Sequence, residues 1–251
     1  MLTSTFCESR KLFAAAVMVT YLATAISAIA VNEAGRRTVE TAGSGCQFKD
    51  LDQRMLRLEL GEEVPFKDQC HAFCILGGLD RMLDADTWFL FSYSALNFSF
   101  FLFLAAIGRI RYLFVWLSAG LHLAFLMLSA DLSENGYIRQ WIGQYGTVAP
   151  SPFLFNATAV KWGTLAVAGV LVGLIYLFHP RRVARLVALP AFAAAALLWT
   201  GLEKKWFSWI NYGSAALGLL WLGILIHAVI VAIEPPPSDM PQAAGQGESH
   251  E

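Results

Sequence analysis

Asp131, Glu134 and Asn135 stand at i, i+3 and i+4 within the stretch Gly120–Gly146. On an α-helix that spacing puts two carboxylates and an amide on one face. The same stretch carries His122 in the middle of a strongly apolar run. Two carboxylates and an imidazole are the least set that acid–base or metal-assisted hydrolysis requires. In that reading Asp131 or Glu134 is the base, and His122 or Asn97 orients the substrate. In a plain structural reading the same face is a polar network that pins helix ends, with Lys161 or Arg139 neutralising a carboxylate. Charges at the mouth of a membrane helix are expensive in either case. The patterns H-E-x-x-H, G-x-S-x-G and G-x-x-x-x-G-K-[ST], which would specify a reaction, are not in the chain.

Apolar spans must position these residues. The 251 residues are 57% hydrophobic and only 15% charged, whereas soluble domains carry roughly 25% charged residues. A net charge of −1 with no dominant basic face gives no support for nucleic-acid binding. About 20 apolar residues cross a bilayer, and six runs of that kind are present: 12–32, 87–108, 112–131, 157–178, 184–202 and 208–233. Trp88, Trp141, Trp162, Trp206 and Trp209 fall near their ends, where indoles favour the interface. The first run, after Arg10 and Lys11, also resembles a signal peptide ending at Ala28-Ile29-Ala30. Its length favours an uncleaved anchor. The fold expected is an all-α polytopic membrane protein of six spans, with a polar N-terminus (1–11) and a disordered polar tail (234–251).

Residues 33–86 are expected to form a small extracytoplasmic helical cap. Glu33 to Gly45 reads as loop, and Leu51, Met55, Leu56, Leu58 and Leu60 as an amphipathic helix ended by Gly61. Cys70 to Leu83 reads as a second helix on the membrane surface. Some 50 residues are too few for a core of their own, so the cap should rest on the spans. Cys46 is expected to pair with Cys70 or Cys74. Zinc at Cys46, Cys70, His71 and Cys74 is disfavoured by a spacing unlike that of zinc sites, and no other cofactor or metal is expected. Residues 132–156 read as a second outer loop with a short interfacial helix over 137–142, and Pro190 as a kink in the fifth span.

Short loops carry Arg10, Lys11, Arg109, Arg111, Arg181, Arg182 and Arg185 on one side and fewer bases on the other. The positive-inside rule then places both termini in the cytoplasm, of a bacterial inner membrane on the Ala- and Leu-rich composition. By depth, Asp131, Glu134, Asn135, Tyr137, Lys161, Glu203, Asn211 and Tyr212 all fall at the outer mouth, and Asn97 is expected to face His122 in the bundle interior. The function expected is binding of a lipid-like ligand or a partner membrane subunit at that mouth. A membrane-embedded enzyme acting on a lipid-linked substrate is the alternative, and a small-solute or proton-coupled transporter the third reading.

Overall fold

Backbone amides in hydrocarbon must be satisfied within the chain, and apolar runs achieve this as helices. The computed structural model describes residues 2–42, 48–62, 66, 69–107, 113–144 and 149–234. All regular structure among them is helical: α1 (Leu2–Ala42), α2 (Phe48–Glu59), α3 (Gln69–Ile107), α4 (Leu113–Gly143), α5 (Pro152–Leu177), α6 (Arg182–Arg185), α7 (Ala188–Lys204) and α8 (Phe207–Ile233). Six helical stretches are long and apolar enough to cross a membrane, so the chain is an integral membrane protein with the expected six spans. Each long helix packs against the next in chain order, and α8 returns to α1. Glycines let α7 and α8 approach closely: a Cβ on Gly213 would lie 2.6 Å from Leu198 Cδ2, and one on Gly201 2.7 Å from Ile210 Cδ1.

Several boundaries differ from the sequence reading, and all in one direction. Residues 33–42 continue α1 and are not loop. Glu33 holds Arg36 and Arg37 at 2.7 Å, one helical turn on, which supports the extension. The expected surface helix and the second span are a single helix, α3. Nothing between Gln69 and Asp86 is a proline, and Gly78 gives space to α2, since a Cβ there would lie 2.6 Å from Leu51 Cδ2. The interfacial helix expected over 137–142 is the last part of α4, so Asp131 to Asn135 lie inside a helix and not at its exit. Pro190 falls in the first turn of α7, where proline needs no kink. Ser151 caps α5, accepting from the Phe153 amide at 3.3 Å, and Pro152 opens it.

The overlong helices build what a separate cap would have supplied. At 39 residues α3 is about 58 Å long, against roughly 30 Å of hydrocarbon. Its first half, the end of α4 and the start of α5 pack with α2 into a second apolar core that includes Leu51, Leu58, Leu79, Leu83, Ile138 and Leu154. Gly61, with φ 77°, ends the α2 segment in the left-handed region. Cys46, the Cys70 side chain, Arg109, Arg111 and the tail from 235 lie outside the described residues.

Candidate functional site

Lys161 is the centre of the polar cluster, on the third turn of α5. One buried ammonium has three hydrogens and no acceptor, and here it meets three carboxylates. Its Nζ is 3.3 Å from Asp131 Oδ1 and 3.4 Å from Glu59 Oε2, and it donates to Glu134 Oε1. Asp131 and Glu134 therefore share a face of α4, as their spacing predicts, and that face turns to α5. Every member is buried, Glu134 at 1% exposure and Lys161 at 7%.

The remaining oxygens separate the carboxylates into two kinds. Glu134 Oε2 accepts from Thr158 Oγ1 at 2.6 Å, one turn before Lys161. Asp131 Oδ2 accepts from the Tyr93 hydroxyl of α3. Both oxygens of both α4 carboxylates are thus engaged. Glu59, at the end of α2, has Lys161 as its one partner among the described residues, through Oε2. Asp86 of α3 has Asn135, whose Nδ2 donates at 2.8 Å. Four buried carboxylates face one buried ammonium.

A cavity of about 330 Å³ opens beside this cluster, within the size range of ligand pockets. Its charged lining is Glu59, Asp86, Asp131, Glu134 and Lys161, and its apolar lining includes Phe89, Leu165, Leu217 and Trp221. The lining follows α8 from Ser214 to Trp221, about 10 Å along the helix. Trp162 also lines it, its ring 4.9 Å from Lys161 Nζ. The Trp162 indole nitrogen is buried with no hydrogen-bond partner among the described residues. Tyr93 stacks on Trp221 with 6.5 Å between ring centres.

Several residues expected at this mouth, or in the bundle interior below it, are elsewhere. His122 is exposed on the outer face of α4 and bonds back to the Ser118 carbonyl at 2.7 Å. It does not meet Asn97, whose Nδ2 donates to the Tyr93 carbonyl at 2.8 Å. A local acceptor one turn back satisfies each side chain, so neither needs the other. Arg139 pairs with Asp84 at 2.6 Å in an exposed position and not with the cluster. Glu203, Asn211 and Tyr212 are exposed. They share the expected depth with the cluster but not its direction, because depth along a helix does not determine the face. Tyr137 is half-buried and stacks on Phe153, 6.2 Å between ring centres.

Sequence reasoning missed Glu59, Asp86, Thr158 and Trp162. Asp86, Tyr93 and Asn97 are spaced by seven and four, a helical face that becomes visible only once α3 is read as continuous through residue 86. No group of three or more His, Cys, Asp or Glu suited to a metal ion is present among the described residues.

The opposite end of the bundle carries a second polar group. His227 of α8 meets the Tyr176 hydroxyl at 3.0 Å, and its ring centre is 5.1 Å from that of His179. Arg181 forms a two-pronged pair with Glu234. Arg10 Nε donates to the Ala106 carbonyl at 3.3 Å and Arg185 Nε to the His179 carbonyl at 2.7 Å. Burial, then the neighbouring Arg181 charge, holds the His179 imidazole below the ordinary histidine range. Hydrogen bonding to Arg181 lowers the Glu234 carboxyl and Glu234 raises the Arg181 guanidinium.

No known protein family matches the chain, and neither a curated protein nor a solved structure does.

Proposed function

We propose that the protein binds a lipid-like ligand in the cavity beside Lys161, at the outer mouth of a bundle whose two termini are cytoplasmic. The observation that carries this reading is the mixed lining of the cavity. Buried charged groups (Glu59, Asp86, Asp131, Glu134 and Lys161) and apolar ones (among them Phe89, Leu165, Leu217 and Trp221) line the same cavity, the two kinds of surface that an amphiphile needs. The arginine-bearing end, with Arg10, Arg181 and Arg185, supports the cytoplasmic assignment of the termini. Among the carboxylates, Glu59 and Asp86 are the ligand-facing pair. Asp131 and Glu134 hold the site together, since their oxygens are already engaged.

Native mass spectrometry of the protein taken from membranes in mild detergent tests this. One lipid-like mass should survive washing. It should disappear from Leu217→Trp, which fills the cavity from its apolar lining, while the thermal midpoint stays within a few degrees. Retention of the mass by the filled variant would place the ligand elsewhere and sink the proposal.

One observation favours the enzymatic alternative. The Tyr93 hydroxyl donates to Asp131 at the cavity wall, a phenol and carboxylate placed for proton transfer to a bound lipid-linked substrate. In that reading Asp131→Asn would abolish turnover while leaving the bound lipid mass in place.

The staple of the α2 region is also a proposal. The bridge is Cys46 with Cys70 or Cys74, and the burial of Cys74 on α3 beside the α2 core supports a staple there. Intact mass without reductant should fall short of the reduced mass by two hydrogens, and all thiols reacting with iodoacetamide in native protein would refute the bridge.

A further inference from the structure

We infer that the ligand's head group carries a positive charge, a primary or quaternary ammonium held by Glu59 and Asp86. This rests on the ligand-binding reading above and specifies its chemistry. With all groups ionised, four carboxylates against one ammonium leave the cavity with an excess of three negative charges. Lys161 is fully committed, since its three hydrogens match its three carboxylate contacts. It therefore donates no hydrogen bond to Asp86, on α3, whose one hydrogen-bond partner among the described residues is the Asn135 amide. An uncompensated buried carboxylate is costly, and a cation arriving in the cavity removes that cost.

The walls agree with this charge. Tyr93, Trp162, Trp221 and Phe89 all line the cavity. Aromatic faces attract desolvated ammonium groups, indoles most strongly, and Lys161 already stands over the Trp162 ring. An anionic head group finds only a saturated lysine among four carboxylates. A neutral one leaves the charge excess as it was. Asn135 Oδ1, on the amide that holds Asp86, is a buried acceptor with no hydrogen-bond partner among the described residues, and a primary ammonium carries the donor it lacks.

Tail-matched probes decide the matter with the wild-type protein in nanodiscs of neutral lipid. Dodecylamine, dodecanol and laurate are titrated against tryptophan fluorescence, with ethylamine as the tail-less control. Dodecylamine should bind about tenfold or more tightly than dodecanol, laurate most weakly, and ethylamine should not compete at the same concentration. Glu59→Gln combined with Asp86→Asn should bring amine and alcohol to near equality. If dodecanol or laurate binds the wild type as tightly as the amine, protons or nothing balance the carboxylates, and the cationic head group is refuted while lipid binding stands. If ethylamine competes as well as dodecylamine, the ligand is a soluble amine and the lipid tail is refuted. If no tailed probe saturates, the ligand-binding reading itself falls. A misfolded double variant leaves the wild-type ranking decisive.

Discussion

The two ends of the bundle hold polar groups of opposite sign in opposite surroundings. At one end four acids and one lysine are buried among α2, α3, α4 and α5. At the other, arginines meet helix-end carbonyls and a single glutamate, and the Arg181 and Glu234 side chains are 53% and 39% exposed. Both ends have cavities of similar size, about 330 and 340 Å³, so volume does not separate them. Burial does. Desolvated charges cost several kcal/mol each unless well paired, and exposed pairs return at most about 1 kcal/mol. The arginine end has a sufficient explanation in the last carbonyls of α3 and α5, which attract cations. The acid end has no such explanation, which is why the ligand is assigned there.

Lys161→Met should have the largest effect. It leaves three carboxylates without their common donor, and breaking a buried pair costs roughly 3–5 kcal/mol. A large fall in thermal midpoint in detergent is expected. A midpoint unchanged from wild type would show that the cluster does not hold the helices, and the contrast between the ends would fail.

Glu59→Gln should lose ligand but little stability, because Glu59 contributes only one of the three contacts to Lys161. The comparison variant is Glu134→Gln, which should destabilise more and alter binding less at matched folded fraction. The reverse order would exchange the roles given to the two kinds of carboxylate.

The arginine end should respond weakly to mutation but measurably to pH. Arg181→Ala is expected to cost about 0–1 kcal/mol, read as a small midpoint shift that shrinks in high salt. His179 is held below its unfolded value in the folded state. The native protein therefore binds that proton less readily, and the contribution is complete above the unfolded pKa, about 6.5, and is lost as pH falls below it. The midpoint should drop between pH 7 and pH 5, and less in His179→Gln. An identical slope in both proteins would remove His179 from the account.

His122→Leu should do least. An exposed side chain bonded only to its own helix is worth within about 0.5 kcal/mol, and ligand binding should be unchanged. Loss of binding in this variant would return His122 to the site from which its orientation excludes it.

Local regularities were legible in advance. Six apolar runs appear as six spans because hydrocarbon permits little besides helices. The pairing of Asp131 and Glu134 on one face, and Lys161 as their cation, follows from spacing and depth. The helix ends were misread because a charged, glycine-containing stretch such as 33–42 resembles a loop, and the charges and paired glycines of 69–86 resemble a separate surface helix, when neither has the apolar run of a span. Once projecting beyond the bilayer they remain helical, stabilised by packing of α2 against α3 and by pairs such as Glu33 with Arg36.

What the chain decided by itself is its solvent and its periodicity: a membrane protein of six helices, with two acids on one face of the fourth helix. Only the tertiary structure decided which polar groups meet. A helical position specifies a depth and an angle, but the angle that matters is relative to a neighbouring helix, and glycine contacts and side-chain volumes elsewhere determine it. That is why Glu59 and Asp86 enter the site from a stretch that reads as cap, whereas His122, Glu203, Asn211 and Tyr212, equally polar and at suitable depth, turn outward.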